Sequence, residues 1–500
     1  MGDPELWYRA VRSRDARFDG WFFVAVTSTG IYCRPSCAST PARREHLRFF
    51  PTAAAAQRSG FRACKRCRPD ASPGSPEWNR RGDVVARAMR DIADGVVDRD
   101  GVAGLASRLG YSTRQLNRLL LAEVGAGALE LARAQRAQTA RLLLETTELR
   151  AAEVAFAAGF GSVRQFNATV RAVFDEPPLA LRARSKRRAA TTAAPAGTLT
   201  LRLPFRRPYA AEPLFSFLSR RAVPGVEAGD GSRYRRSLAL PHGPAVAEVL
   251  APEADEPFLT ARLQLSDLRD LTRAMTRLRQ LFDADADPRA VAGVLSGDPL
   301  LAPGVAAMPG LRVPGHVDGS ELAVRALLGQ QVSVAGARTL AGRLAAAHGE
   351  PLPDSFAAAS GPVRLFPSAD TIAALPPAAF GVPSGRGRAI VSLAAAVAGG
   401  EVDLRPGADR EDVSARLLAI PGIGPWTVAY IRMRALSDPD AFLPSDLGVR
   451  RALERSGHPA DARSALALAE RWRPYRAYGL QHLWAGSFGA GRPEDKEDVA

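Results

Sequence analysis

The sequence predicts a chain of several domains that is mainly helical and contains one small α+β part. Its 500 residues correspond to roughly three to four domains at about 150 residues each. With 46% hydrophobic residues, each domain has enough apolar side chains for a core. Apolar residues recur at helical spacing over most of the chain, whereas several segments from residue 198 to about 265 show the alternation of strands.

Composition divides the chain further. The segments 72–82 and 185–197 lack apolar periodicity, are rich in Ser, Pro, Ala, Gly and charge, and are interpreted as linkers. Between them, residues 83–184 follow a helical pattern. From residue 198 the segments LTLRLPF, RSLAL, AVAEVL and FLTARLQL predict strands, and a helix is predicted over 267–282. Beyond about residue 288 the pattern is helical with Gly/Pro turns.

The charge pattern indicates a polyanionic partner such as nucleic acid. The formal net charge is +15, with 32 Lys+Arg against 19 Asp+Glu in residues 1–200 and 35 against 33 in the remainder. The only lysines are Lys65, Lys186 and Lys496, which excludes much lysine chemistry. The start of the chain lacks an apolar signal-peptide core, and no apolar run reaches about 18 residues. We therefore expect a soluble protein of a reducing compartment with no membrane contact.

Four cysteines form two close pairs, Cys33-x3-Cys37 and Cys64-x2-Cys67. Two thiol pairs separated by a loop suit a tetrahedral four-thiolate zinc site. The alternatives are two disulfides or simple buried thiols, which a reducing compartment disfavours. No later cysteine is available for an iron–sulfur cluster or as a nucleophile. Cationic residues, which stabilise thiolates, surround the pairs: Arg34, Arg43, Arg44, Arg62, Lys65, Arg66 and Arg68.

In the contexts TGIYCRPSC and GFRACKRC, these residues resemble, over roughly 1–75, the zinc domain of the Ada adaptive-response proteins. The resemblance implies that Cys33 accepts a methyl group from a methyl phosphotriester in DNA, and that Cys37, Cys64 and Cys67 are its zinc partners. Four thiolates on Zn²⁺ carry a net charge of about −2 and methylation of one leaves about −1, so the affinity for DNA should rise. Because a thioether does not release its methyl group, the transfer is expected to be stoichiometric. The expected DNA contacts of this domain are Arg34, Arg43 and Arg62.

An internal repeat predicts two similar turn-helix units. Ser112-Thr-Arg-Gln-Leu-Asn-Arg118 recurs fifty residues later as Ser162-Val-Arg-Gln-Phe-Asn-Ala168, each after a glycine-aromatic turn. Both copies begin with S-x-x-Q, the capping-box pattern of a helix start. Their polar face fits either of two interpretations: the solvated face of an ordinary amphipathic helix, or a surface that reads base edges in a major groove. The predicted inward stripe consists of Leu116, Leu119, Leu120, Phe166 and Val170.

The two units, joined by a helical stretch over 127–146, resemble the AraC-type double helix-turn-helix over about 83–184. That family usually activates transcription, so the resemblance favours DNA binding and adds RNA polymerase as a candidate partner. The expected DNA contacts are Arg114, Gln115, Asn117, Arg164, Gln165 and Asn167.

Residues 418–430, LAIPGIGPWTVAY, predict a helix, a tight turn and a second helix. Gly422 and Gly424 let the backbone approach a phosphate, and the second helix offers free N–H groups at its start. A lone PGIG is most often a plain helix connection. The stretch FLPSD ends at Asp446, twenty residues after Trp426, where a lone Asp is more often a helix cap.

The hairpin and Asp446 together resemble the helix-hairpin-helix DNA glycosylases, and the match from about 198 to 490, with VRALLGQQVSVAGA and YRAYGLQHLW, resembles the AlkA-type 3-methyladenine glycosylases. It implies a small TBP-like α+β domain before an all-helical body. It also implies that Asp446 is the catalytic carboxylate, which stabilises an oxocarbenium-like state and assists water attack on a flipped-out nucleotide. A cationic alkylated base would stack on aromatic rings. These rings, otherwise interpreted as core aromatics, are Trp426, Tyr430 and Trp484.

Relatives that also cut the DNA strand use a hairpin lysine to form a Schiff base. Here the hairpin carries Trp426, and residues 201–500 contain only Lys496. We therefore expect a monofunctional glycosylase that leaves an abasic site.

Two positions depart from the AlkA pattern. Gln331 stands where some AlkA proteins place an apolar wedge, and Leu447 stands where an aromatic residue can follow the catalytic Asp. The resemblance also makes a monovalent cation a candidate ligand of hairpin carbonyls. Those carbonyls belong to Leu418, Ile420 and Ile423.

The resulting hypothesis is a DNA alkylation-response protein that accepts a methyl group at Cys33, activates transcription and excises alkylated bases of the 3-methyladenine and 7-methylguanine class. The alternatives are a transcriptional regulator with a degenerate glycosylase scaffold, and a glycosylase merely tethered to DNA by its front half. We expect no C-terminal Ada methyltransferase activity, because no cysteine follows Cys67 in this sequence. We expect a monomer in the bacterial cytoplasm, associated with the nucleoid and bound to alkylated and promoter double-stranded DNA.

The predicted parts are a zinc methyl-acceptor domain (1–75), a double helix-turn-helix (83–184), a linker (185–197), an α+β domain (198–287), a helix-hairpin-helix glycosylase domain (288–490) and a polar tail (491–500).

Overall fold

The computed structural model describes residues 3–39, 42–69, 75–77, 82–186, 198–253, 256–356 and 361–487. Most of both predicted linkers and the whole tail 491–500 lie outside these ranges. The chain divides into two compact units. The first contains Met1–Phe205, Pro241–Gly243 and Leu265–Thr276, and the second contains Arg206–Leu240, Pro244–Gln264 and Arg277–Ala500.

The first unit begins with a small domain built on a four-stranded sheet in the order β3–β1–β2–β4. β1 pairs antiparallel with β2 and β3, and β2 pairs parallel with β4, where Tyr32 lies opposite Ala63. This parallel pairing brings Cys33 and Cys64, which follow those residues, to the same end of the sheet. The elements are α1 (Pro4–Arg12), β1 (Phe23–Val26), β2 (Ile31–Cys33), β3 (Leu47–Phe50), α2 (Ala53–Arg58) and β4 (Arg62–Ala63).

Helices form the next part of this unit, as the sequence pattern predicted. They are α3 (Val84–Ala93), α4 (Val96–Leu109), α5 (Thr113–Val124), α6 (Ala128–Thr146), α7 (Ala151–Ala157), α8 (Val163–Phe174) and α9 (Pro178–Lys186). The predicted helix starts are confirmed: Ser112 and Ser162 are the N-caps of α5 and α8, and each hydroxyl accepts a hydrogen bond from the N–H of the Gln three residues on. The predicted inward stripe is largely buried, with Leu119 only partly so.

The predicted α+β part contains β5 (Leu199–Pro204), α10 (Ala211–Arg220), β6 (Glu227–Gly229), β7 (Arg233–Leu240), β8 (Gly243–Leu250), β9 (Phe258–Leu265) and α11 (Leu271–Leu281). β9, β8, β7 and β6 follow one another in that order in a sheet. The helix predicted over 267–282 is shorter, because Asp267 caps a separate 3-10 turn at Leu268–Asp270 before α11 begins.

The remainder of the second unit is helical, and two apolar clusters fill it. Its helices are α12 (Pro288–Leu295), α13 (Ala302–Ala307), α14 (Gly319–Leu328), α15 (Val334–His348), α16 (Ala369–Ala373), α17 (Ser384–Ala398), α18 (Arg410–Leu418), α19 (Pro425–Arg434), α20 (Leu447–Arg455), α21 (Ala462–Ala469) and α22 (Arg476–Ser487). The predicted fold class, mainly helical domains with a small zinc domain and one α+β part, is confirmed. Within the described ranges, no helix has the length and apolar character needed to cross a membrane.

Candidate metal centre and glycosylase site

The four cysteines meet in one cluster. Their Sγ atoms lie within 4.8 Å of one another, which agrees with the spacing of about 3.8 Å between sulfurs on a tetrahedral zinc ion with 2.3 Å bonds. All four are free rather than disulfide-bonded; Cys33, Cys64 and Cys67 are buried and Cys37 is half-buried. The alternative of two disulfides is therefore excluded for this structure.

The chemistry of the donors also fits a divalent cation. Hydrogen bonds to Cys37, Cys64 and Cys67 raise the pKa of the Cys33 thiol far above its usual range. Hydrogen bonds within the same cluster lower the pKa of the Cys37 thiol. Without a cation the four thiols therefore do not ionise together, whereas zinc binds all of its sulfur ligands as thiolates. Four sulfurs at this spacing satisfy the needs of zinc with no other ligand.

The arginines predicted around the cluster have unequal surroundings. Arg43 points into solvent, with 85% of its side chain exposed. Arg34 lies 3.4 Å from a carboxylate oxygen of Asp19. Arg62, predicted as a DNA contact, instead faces the carboxylate of Asp175 at 2.9 Å. In this structure the Arg62 guanidinium therefore forms an ion pair within its own unit, with the helical part.

Further contacts join the zinc domain to those helices. The Lys65 ammonium donates to Glu176 at 2.9 Å, and Arg68 pairs with Glu145. On the other side of the domain, the Thr52 hydroxyl donates to the carbonyl of Val124 at 3.0 Å. The basic side chains flanking Cys64 and Cys67 thus make ion pairs with the ends of α6 and α8.

The polar residues of the two repeated helices are of two kinds: some lie at the surface, and others hydrogen-bond to backbone N–H groups. Arg114 and Arg164 are exposed, and Asn167 is half-buried. The Gln115 side-chain oxygen accepts from the Ser112 N–H at 3.1 Å, which completes the capping box. Two further predicted contacts are also engaged: the Asn117 oxygen accepts from the Ala128 N–H at 3.1 Å, and the Gln165 oxygen accepts from the Gly161 N–H at 3.3 Å.

In the second unit, Asp446 accepts three hydrogen bonds. It is the N-cap of α20, where Oδ1 accepts from the Val449 N–H at 3.1 Å, so the helix-cap interpretation holds as well. The indole N–H of Trp484 donates to Oδ1 at 2.8 Å, and that of Trp426 donates to Oδ2 at 3.1 Å. A carboxylate has about four acceptor positions, so Oδ2 retains capacity for a further partner. The indole of Trp484 packs closely against Gly448. A Cβ at position 448 would lie only 2.9 Å from the indole ring, so glycine makes room for it.

Trp426 and Trp484 contact Asp446, but Trp426 and Tyr430 leave no slot between their rings. The rings of Trp426 and Tyr430 stack directly on each other, with centroids 5.2 Å apart and planes 8° apart. A base between them would need a separation near 7 Å, twice the thickness of an aromatic ring. Arg434 continues the row, with its guanidinium 5.5 Å from the Tyr430 centroid and 2.7 Å from the hydroxyl oxygen. Burial raises the pKa of the Tyr430 hydroxyl, but Arg434 and Arg221 lower it to below its usual range.

The predicted hairpin is present between α18 and α19. Gly422 has a φ of +95°, a left-handed conformation that favours glycine, and a Cβ there would lie 3.0 Å from the Ala389 methyl group. Gln330 supports the turn, because its amide donates to the Gly422 carbonyl at 3.3 Å and to the Thr427 hydroxyl at 3.0 Å. The neighbouring Gln331 is exposed, has a φ of +56° and accepts from Arg386 at 3.2 Å.

A second cluster of ligand-type side chains, Glu227, His316 and Glu321, is buried in this unit. It is an ion-pair network rather than a metal site. Arg236 lies 3.0 Å from Glu227 and 2.7 Å from Glu321, and Arg325 approaches both carboxylates within 3.0 Å. Two guanidinium groups already supply the positive charge that a metal ion would bring.

Comparisons with known proteins relate separate parts of the chain to known families. Three family models match the chain: the metal binding domain of Ada at residues 6–70, a helix-turn-helix domain at 105–184 and the AlkA N-terminal domain at 200–318. A protein of Mycobacterium tuberculosis strain H37Rv, described as a probable bifunctional transcriptional activator/DNA repair enzyme AlkA, is 54% identical over 482 residues, which are 96% of each chain. The chain belongs to this bifunctional Ada/AlkA family.

Two further relatives cover the AlkA part. DNA-3-methyladenine glycosylase 2 of Escherichia coli K12 is 36% identical over 286 residues, 56% of this chain and 95% of that protein. The solved structure of a 3-methyladenine DNA-glycosylase from Archaeoglobus fulgidus matches with a TM-score of 0.50 and 21% identity, covering 58% of this chain and 98% of that one. This second likeness supports the fold alone. The match to the metal binding domain of Ada covers the four clustered cysteines Cys33, Cys37, Cys64 and Cys67, which together could hold a metal ion.

Sequence reasoning missed several residues around the two sites. Asp19, beside the zinc loop, stands in the unremarkable context RFDGW, and Asp175 and Glu176 look like an ordinary acidic helix end. Arg434, four residues after Tyr430 and hence next to it on α19, could have been found from helical spacing.

Proposed function

We propose that the Ada part of this chain is a one-time methyl acceptor that senses methyl phosphotriesters in DNA. The thiolate of Cys33 attacks the methyl carbon, an S–C bond forms, the C–O bond breaks, and its electron pair leaves on the phosphate oxygen. Zinc, when bound, keeps the sulfur as a thiolate at neutral pH. The cluster of four sulfurs is the observation that supports this proposal.

We further propose that the methylated protein binds promoter DNA through the two repeated helices and activates transcription, with RNA polymerase as the partner. Arg114, Arg164 and Asn167 are the proposed DNA contacts. Because Gln115, Asn117 and Gln165 hydrogen-bond to backbone groups at helix starts, we assign them to shaping this surface rather than to reading bases.

For the AlkA part, we propose hydrolytic removal of alkylated bases from double-stranded DNA. The observation that carries this proposal is the carboxylate of Asp446, which two indole N–H groups hold in one orientation while Oδ2 keeps acceptor capacity. As the N-glycosidic bond lengthens, positive charge builds on the flipped-out sugar, and an oriented carboxylate stabilises it. N3- and N7-methylated bases leave readily because they are cationic, so a dedicated acid is unnecessary.

We propose a binding position for such a base from the stacked pair. With Trp426 and Tyr430 in contact with each other, a cationic base would stack on the outer face of Trp426 or against Trp484, while Tyr430 backs the row. Gln331 is exposed, has a left-handed backbone conformation and accepts a hydrogen bond from Arg386; it is the candidate to enter the space left by the flipped nucleotide. The hairpin at Gly422 and Gly424 would bind phosphate, with a monovalent cation on the carbonyls of Leu418, Ile420 and Ile423.

We propose that base removal is not followed by strand cleavage. A lyase step needs an amine near the sugar, but Trp426 occupies the hairpin position, and the rear 300 residues contain only Lys496. Incubating the protein with duplex containing a 3-methyladenine or 7-methylguanine base should give abasic DNA that breaks only after alkali treatment. Covalent trapping on DNA by borohydride would overturn this.

Release of 3-methyladenine by wild type and by Asp446→Asn tests the enzyme assignment against the alternative of a regulator with a degenerate scaffold. We expect release by wild type and release slower by about a hundredfold or more in the variant. Absence of release by zinc-loaded wild type would favour the regulator. The third possibility, a tethered glycosylase, predicts that Cys33→Ala leaves alkylation-induced transcription unchanged, whereas the proposed sensor predicts its loss.

A further inference from the structure

A buried carboxylate lies beside the zinc cluster without being a ligand. Asp19 is only 5% exposed and follows the short turn Ala16–Phe18. It is seventeen residues from Ser36 in the chain, so its place beside the zinc loop arises from the fold of the domain rather than from local sequence.

Asp19 contacts two of the three residues between the first two cysteines. Its Oδ1 accepts from the Ser36 N–H at 3.0 Å, and its Oδ2 accepts from the Ser36 hydroxyl at 2.6 Å. The Arg34 guanidinium lies 3.4 Å from Oδ2. One carboxylate thus fixes both the backbone of the Cys33–Cys37 loop and the direction of its arginine.

Arg34 is the residue directly after Cys33. Its backbone N–H hydrogen-bonds to the Cys67 sulfur, and Asp19 pairs with its side chain, which remains 33% exposed. The residue is therefore held at both ends, with part of its guanidinium open to an incoming group. A freely rotating arginine would spend little time in one such position, because its side chain carries about 2 kcal/mol of rotamer entropy.

We propose that Asp19 is a positioning residue for methyl transfer: it holds the Arg34 guanidinium where the phosphotriester must approach Cys33. The proposal rests on the role of Cys33 proposed above. During transfer the neutral phosphotriester becomes a phosphodiester anion as the C–O electron pair moves to oxygen. A guanidinium already in place stabilises that developing charge, and its pairing with Asp19 keeps an uncompensated negative charge away from the DNA.

Two methyl donors distinguish positioning from support of the fold. Transfer from a methylphosphotriester oligonucleotide leaves a phosphodiester anion in the DNA backbone, which needs Arg34. Methyl iodide transfers its methyl group to the same thiolate and releases iodide, which does not. A residue that only maintains the zinc cluster would affect both reactions alike.

The experiment uses the zinc-loaded full chain and its Asp19→Asn variant, with Glu45→Gln as a control that removes an exposed carboxylate from the same domain. For Asp19→Asn we expect one zinc per chain, methyl iodide reactivity at Cys33 within twofold of wild type, and transfer from the oligonucleotide slower by about tenfold. Glu45→Gln should match wild type in all three. Equal losses with both donors, or no loss with either, would overturn the proposal.

Should Asp19→Asn lose zinc, Ser36→Ala decides the question, because it removes only the hydroxyl hydrogen bond. It should slow oligonucleotide transfer by about threefold and leave methyl iodide reactivity unchanged; a parallel change in both rates would refute the role of Asp19. If wild type itself takes no methyl group from the oligonucleotide while reacting with methyl iodide, the proposed sensor function fails, and Asp19 loses this role with it.

Discussion

The zinc centre and the Asp446 site reach a defined geometry in opposite ways. The four zinc ligands come from two short segments that neighbouring strands place side by side. Asp446 depends on partners twenty and thirty-eight residues away, on two other helices. The first site is assembled from its own ligands and completed by a metal ion, whereas the second is a single charged group oriented by hydrogen bonds. The two should therefore fail independently and for different reasons.

The largest expected effects test that independence. Cys33→Ser should abolish methylation of the protein and leave base release intact, since the sulfur nucleophile is lost and the second unit is untouched. Asp446→Asn should lower base release by about a hundredfold or more and leave methyl transfer intact, because the carboxamide cannot balance positive charge on the sugar. Methyl incorporation and release of 3-methyladenine, measured on the same preparations, check both. Loss of both activities in either variant would contradict the separation.

A smaller effect is expected when the carboxylate stays but an indole donor is removed. Trp484→Phe keeps an aromatic ring and loses the 2.8 Å hydrogen bond to Asp446, so kcat should fall about tenfold, with a smaller change in KM. Trp426→Phe should behave alike through the 3.1 Å bond to Oδ2. Single-turnover base release measures this.

Trp472→Phe is the matched control for these variants, because its indole donates to a different carboxylate, that of Asp298, at 2.9 Å. It should lower thermal stability while leaving kcat of the folded enzyme unchanged. If all three variants lost the same activity, the indoles would serve packing rather than the orientation of Asp446.

The same contrast explains what could be predicted from sequence. Cysteine spacing predicted the zinc ligands, because all four donors lie in two local motifs. The S-x-x-Q pattern likewise predicted two helix starts, since a capping box involves residues three apart. By contrast, the polar face of α5 gave no sign that the Asn117 oxygen would cap α6, because that contact depends on the path of the intervening turn. The contact of Asp19 with Ser36 and the direct stacking of Trp426 on Tyr430 also required the folded chain.

The ion pairs near the zinc centre allow a third prediction, by chemical cross-linking. Because the chain has few lysines, few cross-linked products are possible. Lys65 Nζ lies 2.9 Å from a carboxylate oxygen of Glu176, and the chain has only two other lysines. A zero-length carbodiimide should therefore form a Lys65–Glu176 amide in the free protein, identifiable by mass spectrometry. If DNA phosphates take over the basic residues around the cluster, adding duplex should reduce the yield by about threefold or more. The Glu176→Gln variant is the control and must not form this amide. If the Lys65–Glu176 amide were absent from the wild-type digest, the zinc domain and the helices that follow it would not be joined by this ion pair in solution.

The smallest expected effect is a pH dependence confined to the second unit. Burial raises the pKa of Asp283 to about 6, although Arg312, Tyr478 and the Val313 N–H oppose the shift. Because the folded-state pKa lies above the unfolded value of about 3.9, the stability contributed by the protonated form is fully present below pH 4 and is lost as the pH rises through 6. In Asp283→Asn the amide oxygen can accept the same hydrogen bonds from Tyr478 and Val313, and Asn tolerates the local φ of +48° well. The variant should match wild type below pH 4 and melt a few degrees higher at pH 8, while chelator sensitivity of the zinc centre stays the same. A pH-independent difference in melting temperature would mean that Asp283 remains charged in the folded protein.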